Sequence, residues 1–266
     1  AKHFNDSLES IVNQSVKPSE IILVIDGPIG FDIENIVNNY KTLGLLKVIR
    51  LNKNVGHGVA RNISIKNCSD DLVALMDADD ISMPTRFEKQ LQAFKKNPNL
   101  TIIGGQISEF IDVPNNVIAY RIVPISNSEI CELLKKRCPM NQVTVMFRKS
   151  EIQIVGGYID WYNEEDYYLW IRLFENNAVF ENLNDILVNV RVGSNMYARR
   201  GNLKYFISEF KLQRYMLRKK IIGYRIFVLN VMKRFVVQVL LPTWLRGIVY
   251  RKFARQINRN KGEKYV

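Results

Sequence analysis

The chain has 266 residues, of which 47% are hydrophobic and 24% charged, with 14 glycines and 8 prolines. This composition excludes a disordered, collagen-like or low-complexity protein and suffices for one large domain, or one domain with an appendage. Three cysteines, Cys68, Cys131 and Cys138, are odd in number and lack metal-ligand spacing, so they indicate neither a disulfide framework nor a zinc site and fit a reducing cytosol.

The formal charge of +12 is unevenly placed: residues 1–190 hold 19 Lys/Arg against 24 Asp/Glu, and residues 191–266 hold 19 against 2. An acidic body is joined to a basic tail, whose expected partner is an anionic surface, either nucleic acid or membrane.

The chain begins with Ala1, and no signal or transit pattern precedes the first helix, so the natural start is expected to lie upstream. Leu8, Ile11 and Val12 fall at helical spacing behind the possible caps Asn5 and Asp6, and Pro18 breaks the pattern. Residues 20–25 read as a buried strand stopped by Asp26-Gly27-Pro28. A helix with Ile33, Ile36, Val37 and Tyr40 follows, and then a strand at 47–51. Residues 52–58 form a glycine-bearing loop that feeds a helix with Val59, Ala60, Ile63 and Ile65; His57 is expected to face solvent there. This alternation argues for a doubly wound parallel sheet.

The next segment, Leu72-Val73-Ala74-Leu75-Met76-Asp77-Ala78-Asp79-Asp80, is an apolar run ending in three carboxylates. Such a run suits a strand buried on both faces, and ligands of open α/β sheets gather at the carboxyl ends of the strands. Clustered carboxylates repel unless a cation sits among them, which points to Mg²⁺ or Mn²⁺ carrying a substrate's phosphates. The alternative is a solvated turn in which Asp80 or Ser82 caps the helix that Pro84 opens. Phe87, Leu91 and Phe94 mark that helix, ended by Asn97-Pro98. Strands are expected at 100–110 and 117–123, a helix at 128–136, a strand at 143–147 and a loop at Gly156-Gly157-Tyr158.

In the tail, residues 221–250 alternate apolar blocks with Lys233, Arg234 and Arg246, and the longest uncharged stretch, 235–245, is 11 residues. A spanning helix needs about 20 apolar residues, so the tail reads as interfacial helices, or as helices that pack their apolar faces on the core. Nucleic-acid binding is disfavoured, because aliphatic blocks stand where stacking aromatics would be needed and the acidic body repels phosphates.

Four landmarks stand in order: Val24-Ile25-Asp26-Gly27, then Asn54-x-Gly56-x-Gly58-x-Ala60-Arg61-Asn62, then Met76-Asp77-Ala78-Asp79-Asp80, and finally Glu164-Glu165-Asp166-Tyr167-Tyr168-Leu169-Trp170. As an ordered set, covering roughly residues 4–192, they resemble glycosyltransferase family 2, the inverting nucleotide-sugar transferases of bacterial exopolysaccharide, capsule and lipopolysaccharide synthesis. The resemblance implies a GT-A fold over residues 1–192, an α/β doubly wound and mostly parallel sheet, followed by a basic helical region at 193–266 with possible membrane-surface contact. It implies a nucleotide-sugar donor, expected to be a UDP-sugar, and a saccharide or polyprenyl-linked saccharide acceptor. It also implies a Mn²⁺ or Mg²⁺ cofactor and a cytoplasmic enzyme peripheral to the inner face of the membrane.

By the same resemblance, Asp26 holds the base, Arg61 lies near the nucleotide, and Asp77 meets the ribose and diphosphate. Asp79 ligates the metal and Asp80 supports the loop. Asp166 is the expected catalytic base, with Glu165 positioning the loop or acceptor; a raised pKa among Glu164, Glu165 and Asp160 would suit a base. Weaker acceptor candidates are Trp161, with Tyr162, then Tyr158, and Gln142, which stands where relatives carry histidine; Trp170 is expected in the core. Relatives also place two acidic residues where Ile25-Asp26 stands and an aspartate at Tyr168. They carry a strand of about a dozen residues with its loop ahead of the first helix, so one sheet position is expected to be open here. Rival readings are a nucleotidyltransferase of similar sheet, disfavoured by the lack of a lysine-bearing phosphate loop, and a non-enzymatic protein binding anionic surfaces or nucleic acid.

Overall fold

The computed structural model describes residues 1–42, 44–193, 202–242, 245–246 and 255–257. Helices and strands alternate at first: α1 (Lys2–Val12), β1 (Ile21–Asp26), α2 (Phe31–Lys41), β2 (Leu46–Leu51), α3 (His57–Asn67) and β3 (Leu72–Ala74). The short β4 (Ile81–Ser82) and α4 (Arg86–Lys96) lead into the hairpin of β5 (Ile102–Phe110) and β6 (Val117–Arg121). Then come α5 (Asn127–Leu134), a 3₁₀ turn (Gln142–Thr144), β7 (Met146–Arg148), α6 (Lys149–Ile154), α7 (Glu165–Glu175) and β8 (Phe180–Arg191). The tail supplies α8 (Leu203–Arg218), α9 (Tyr224–Phe235) running into a π-helical turn (Val236–Leu240), and β9 (Gln256–Ile257).

The α/β class is the expected one, and the strand pairing corrects the expectation of a mostly parallel sheet. β1 and β2 pair in parallel as a sheet of their own, Ile21 opposite Leu46 through Asp26 opposite Leu51. The remaining strands form one sheet in the order β3-β7-β5-β6-β9, with β8 beside β5 and β4 on β8. There β5–β8 is parallel and the other pairs are antiparallel. For β5–β6 the cause is connection length, since β6 returns from β5 through a short turn, whereas a parallel partner needs a crossover of about a dozen residues. Among the described residues no backbone pairing joins β1 to β3. Ile21 bridges the two sheets by side-chain packing instead, lying against the clusters around both Phe94 and Val37.

Local chemistry explains several departures at element ends. α1 buries Leu8 and Ile11 one turn apart and already begins at Lys2, so Asn5 and Asp6 lie inside it; it stops at Val12, well before Pro18. Thr85, with no side-chain capping bond, stands at the N-cap of α4, and neither Asp80 nor Ser82 does. The apolar run at 72–76 is a strand only as far as Ala74, and Val73 alone is fully buried, because β3 has a strand neighbour, β7, on one side only. Residues 142–144 form a 3₁₀ turn before the short β7.

The core centres on β5, buried along its whole length. Trp170, Tyr167 and Leu169 of α7 pack there with Ile102, Phe147 and Phe180, and Leu212, Met216 and Ile222 of the tail belong to the same cluster. Tail and body thus share one core, with α8 packed into it and β9 paired with β6 in the main sheet. Of the interfacial stretch expected at 221–250, residues 243–244 and 247–250 lie outside the described residues. No helix among the described residues is long and apolar enough to cross a membrane. All three cysteines are free thiols.

Candidate active site

The carboxylate loop is gripped from two sides. From α1, Ser7 Oγ donates to the Asp77 carbonyl at 2.9 Å, and Gln14 Nε2 donates to the Met83 carbonyl at 2.8 Å. From the end of β8, the Arg191 backbone N–H donates to Asp80 Oδ1 at 2.8 Å, and Arg191 Nε donates to the Asp79 carbonyl at 3.3 Å. Burial pushes the Asp80 carboxyl up to about 8, against the hydrogen bond from Arg191, and the charges of Asp77 and Asp79 push the same way as burial. Asp80 thus anchors the loop from within through the Arg191 N–H.

Asp77 and Asp79 face solvent. Asp79 makes no side-chain hydrogen bond or ion pair among the described residues, so its carboxylate is available. No three metal-ligating side chains converge among the described residues. The donor set fits a hard cation held by one or two protein carboxylates and completed by phosphate oxygens, the pattern Mg²⁺ prefers.

Asp26 ends β1, and both its oxygens are engaged: Oδ1 accepts from Val55 N at 2.7 Å and Oδ2 from Gly56 N at 3.1 Å. Gly56 takes a φ of +90°, which glycine adopts without strain, and so presents its N–H to the carboxylate. The loop is thereby fixed ahead of α3, which starts at the exposed His57.

Arg61, one turn into α3, is the hub. Its guanidinium lies 3.2 Å from Glu165 Oε1 and 3.5 Å from Asp77 Oδ1, and 5.6 Å from the centre of the Tyr158 ring. Burial alone would lower its pKa, but Asp77, Tyr158, Glu165 and Asp166 outweigh burial and raise it. With the Gln142 amide oriented to satisfy all its neighbours, its nitrogen donates to Asp166 Oδ2 at 3.0 Å and its oxygen accepts from Arg61 Nη1 at 3.0 Å. Gln142, a weak candidate from sequence, thus bridges Asp166 to Arg61.

Glu165 and Asp166 occupy the first turn of α7, where the helix dipole favours negative charge. The Asp166 carboxyl is nevertheless held above the usual range, chiefly by burial and then by the charge of Glu165; the N–H of Tyr167 and the cations Arg61 and Arg121 oppose the rise. The raised acid expected among Glu164, Glu165 and Asp160 is Asp166 itself. Glu164 is buried at the N-cap of α7 and accepts from the Tyr205 hydroxyl of α8.

The aromatic candidates separate. Tyr158 is buried beside Arg61, and burial raises its pKa. Trp161 donates from Nε1 to the Ser208 carbonyl at 3.1 Å and packs on Tyr168 at 4.4 Å between ring centres, so it leans on α8. Tyr162 is partly exposed under the Lys204 ammonium, and Trp170 is wholly in the core as expected.

Three contributors went unassigned in the sequence. Arg191 sits at the end of a strand the pattern did not reveal. Asn62 was visible in the Arg61-Asn62 pair but had no role until its partner, the Tyr158 backbone, was in place. Arg86, fully buried, donates from Nη2 to the carbonyls of Leu75 at 2.8 Å and Val145 at 3.2 Å beneath the carboxylate loop. Burial lowers it to about 9, against the charge of Asp77.

Exposed aspartates thus follow the end of β3, and the half-buried Asp166 stands near Arg61, which pairs with both Asp77 and Glu165. The model of glycosyl transferase family 2 matches residues 2–154, and the chain belongs to that family. It is 40% identical over 251 residues to an uncharacterized glycosyltransferase of Haemophilus influenzae, covering 94% of this chain and 93% of that one. It is 36% identical over 252 residues to the UDP-Gal:alpha-D-GlcNAc-diphosphoundecaprenol beta-1,3-galactosyltransferase of Escherichia coli, covering 95% of this chain and 91% of the relative. Among solved structures it is similar to Staphylococcus aureus TarS 1-349 in complex with UDP-GlcNAc, with a TM-score of 0.62 and 18% identity over 88% of this chain and 69% of that one. That likeness places the chain in the GT-A fold.

Proposed function

We propose that the protein is an inverting hexosyltransferase that moves a sugar from a UDP-sugar to a hydroxyl of a saccharide or polyprenyl-linked saccharide in bacterial surface polysaccharide synthesis, working in the cytoplasm at the inner face of the membrane. The observation that carries this reading is that Arg61 pairs with the solvent-facing Asp77 and with Glu165, the neighbour of Asp166, whose carboxyl is raised by burial. The Escherichia coli relative, whose name states a UDP-galactose donor and a diphosphoundecaprenol-linked acceptor, supports the donor and acceptor classes.

On this reading Asp166 takes the proton of the acceptor hydroxyl as the oxygen attacks the anomeric carbon. The bond from that carbon to the diphosphate oxygen breaks on the opposite face, and the configuration inverts. Gln142 holds one Asp166 oxygen and the Tyr167 N–H the other, which fixes the orientation of the carboxylate. Arg61 balances Asp77 and Glu165, so that two further carboxylates near Asp166 do not displace it by repulsion. Asp79, with Asp77 beside it, would hold Mn²⁺ or Mg²⁺, which when bound stabilises the charge gathering on the departing diphosphate. Asp26 keeps the glycine loop in place beside the nucleotide, and Tyr158 and Trp161 shape the acceptor side.

The test is incubation of the complete polypeptide with a panel of UDP-sugars, Mn²⁺ and a lipid-linked saccharide. UDP release that depends on the acceptor, together with an anomeric linkage opposite to the donor's by NMR, supports the reading. Retention of configuration, or release of pyrophosphate in place of UDP, overturns it.

A further inference from the structure

The tail carries a surface that catalysis does not use. α8 and α9 meet through an aromatic seam in which Phe206 lies 5.4 Å from Phe235 between ring centres and Phe210 lies 5.9 Å from Phe227. Outward from that seam, the exposed positions of α9 and its π-helical turn follow helical spacing. Leu229, Met232, Val236 and Leu240 are 56%, 61%, 44% and 60% exposed. The Phe206–Phe235 contact sets the start of α8 beside the end of α9, where Leu203 and Ile207 are also exposed. These six side chains form an apolar stretch of a kind that isolated surface leucines do not produce.

The cations of the tail fall into two groups. Arg234, Arg246 and Arg255 are turned inward: Arg234 pairs with Glu209, Arg246 donates to the carbonyls that end the π-helical turn, and Arg255 pairs with the buried Glu109. Lys204, Lys211, Arg225 and Lys233 stay at the surface around the apolar stretch. With 19 basic residues against 2 acidic ones from 191 onward, a second copy of this surface would meet it with like charge. An anionic bilayer meets it with opposite charge and also takes up the apolar side chains.

The surface lies next to the acceptor side of the site. Ser208 of α8 donates to the Tyr162 carbonyl at 2.7 Å, Tyr205 reaches Glu164, and the Lys204 ammonium lies 4.1 Å over the Tyr162 ring. Glu164 caps α7, whose second residue is Asp166.

We infer that the exposed α8–α9 surface is a docking site for an anionic lipid bilayer, seated so that a lipid-linked acceptor reaches Asp166 from the membrane side. This rests on the transferase reading for the acceptor and on the surface itself for the lipid. The experiment is co-sedimentation of the complete polypeptide with vesicles of phosphatidylglycerol and phosphatidylethanolamine, or of phosphatidylcholine alone, using wild type and the double variant Met232→Glu, Leu240→Glu. Both positions are exposed, and an unchanged melting curve checks the fold. Wild type is expected to bind the anionic vesicles at least about tenfold more tightly than the neutral ones, and to release with salt. The double variant is expected to lose at least about tenfold in binding and in transfer to an acceptor embedded in vesicles, while keeping its rate on a water-soluble acceptor. Equal sedimentation of variant and wild type overturns the inference, as does a wild-type dimer that the variant converts to monomer. Loss of vesicle binding with no sugar transfer to either acceptor supports the docking surface and overturns the transferase reading alone.

Discussion

Asn62 and Tyr158 exchange two hydrogen bonds across 96 positions of sequence: Asn62 Nδ2 donates to the Tyr158 carbonyl at 2.6 Å, and Tyr158 N–H donates to Asn62 Oδ1 at 2.7 Å. This reciprocal pair locks α3, which carries Arg61, to the loop that delivers Tyr158 and then α7. It requires glycine at 157, where φ is +67° and a Cβ would lie 2.5 Å from Asn62 Oδ1. Gly157→Ala should therefore cost about 2–3 kcal/mol through backbone strain and the loss of one or both bonds. Urea denaturation measures it; Asn62→Ala is expected to cost a similar amount.

Glu165 raises the pKa of Asp166, although burial does so more. A base works only when deprotonated, so the rate should climb with pH through the Asp166 pKa. Glu165→Gln removes a negative neighbour and lowers that pKa, which moves the acid limb of kcat/KM to lower pH. A pH–rate profile of wild type and variant reads the shift, and its sign is the test.

Arg191 clamps the carboxylate loop through its backbone and guanidinium, and also donates from Nη1 to the Asp112 carbonyl at 2.7 Å. Arg191→Ala keeps the backbone bond and removes the others. A loosened Asp79 should raise the donor KM about tenfold, equivalent to about 1.4 kcal/mol, with a smaller effect on kcat. Initial rates at varied donor concentration separate the two.

The proposed function has Asp79 hold the metal. Calorimetric titration with UDP, with and without Mn²⁺, should show a metal-dependent gain in affinity in wild type, and no such gain in Asp79→Ala. Asp80→Asn should retain most of the gain, because that side chain is buried on the Arg191 N–H, a bond an amide oxygen can also accept.

The sequence announced what depends on local pattern and hid what depends on distant partners. The aliphatic run before Asp26 marked the end of β1 directly, and the run before Asp77 marked the existence of β3, although that strand stops at Ala74. β8 was silent because Asn182, Asn184, Asp185 and Asn189 interrupt its alternation; its register on β5 also shifts on either side of Gln106, so no clean period of two exists to be read. Arg191 was lost with that strand. Gln142 showed only its residue type, and its bridge between Asp166 and Arg61 needs the 3₁₀ turn, α3 and α7 to meet. The raised Asp166 carboxyl is a consequence of burial, which two neighbouring acids in a sequence do not disclose. The tail's cations were legible as a total, but their division into inward-turned arginines and cations left at the surface was not.

The central claim, that Asp166 accepts the proton of the incoming hydroxyl, is tested most directly by sugar transfer with Asp166→Asn. Asparagine keeps the shape of the side chain and the oxygen that accepts from the Tyr167 N–H, losing only the acceptor for Gln142, so UDP affinity should stay near wild type while turnover falls at least about 100-fold. Turnover of Asp166→Asn at the wild-type rate would contradict the account.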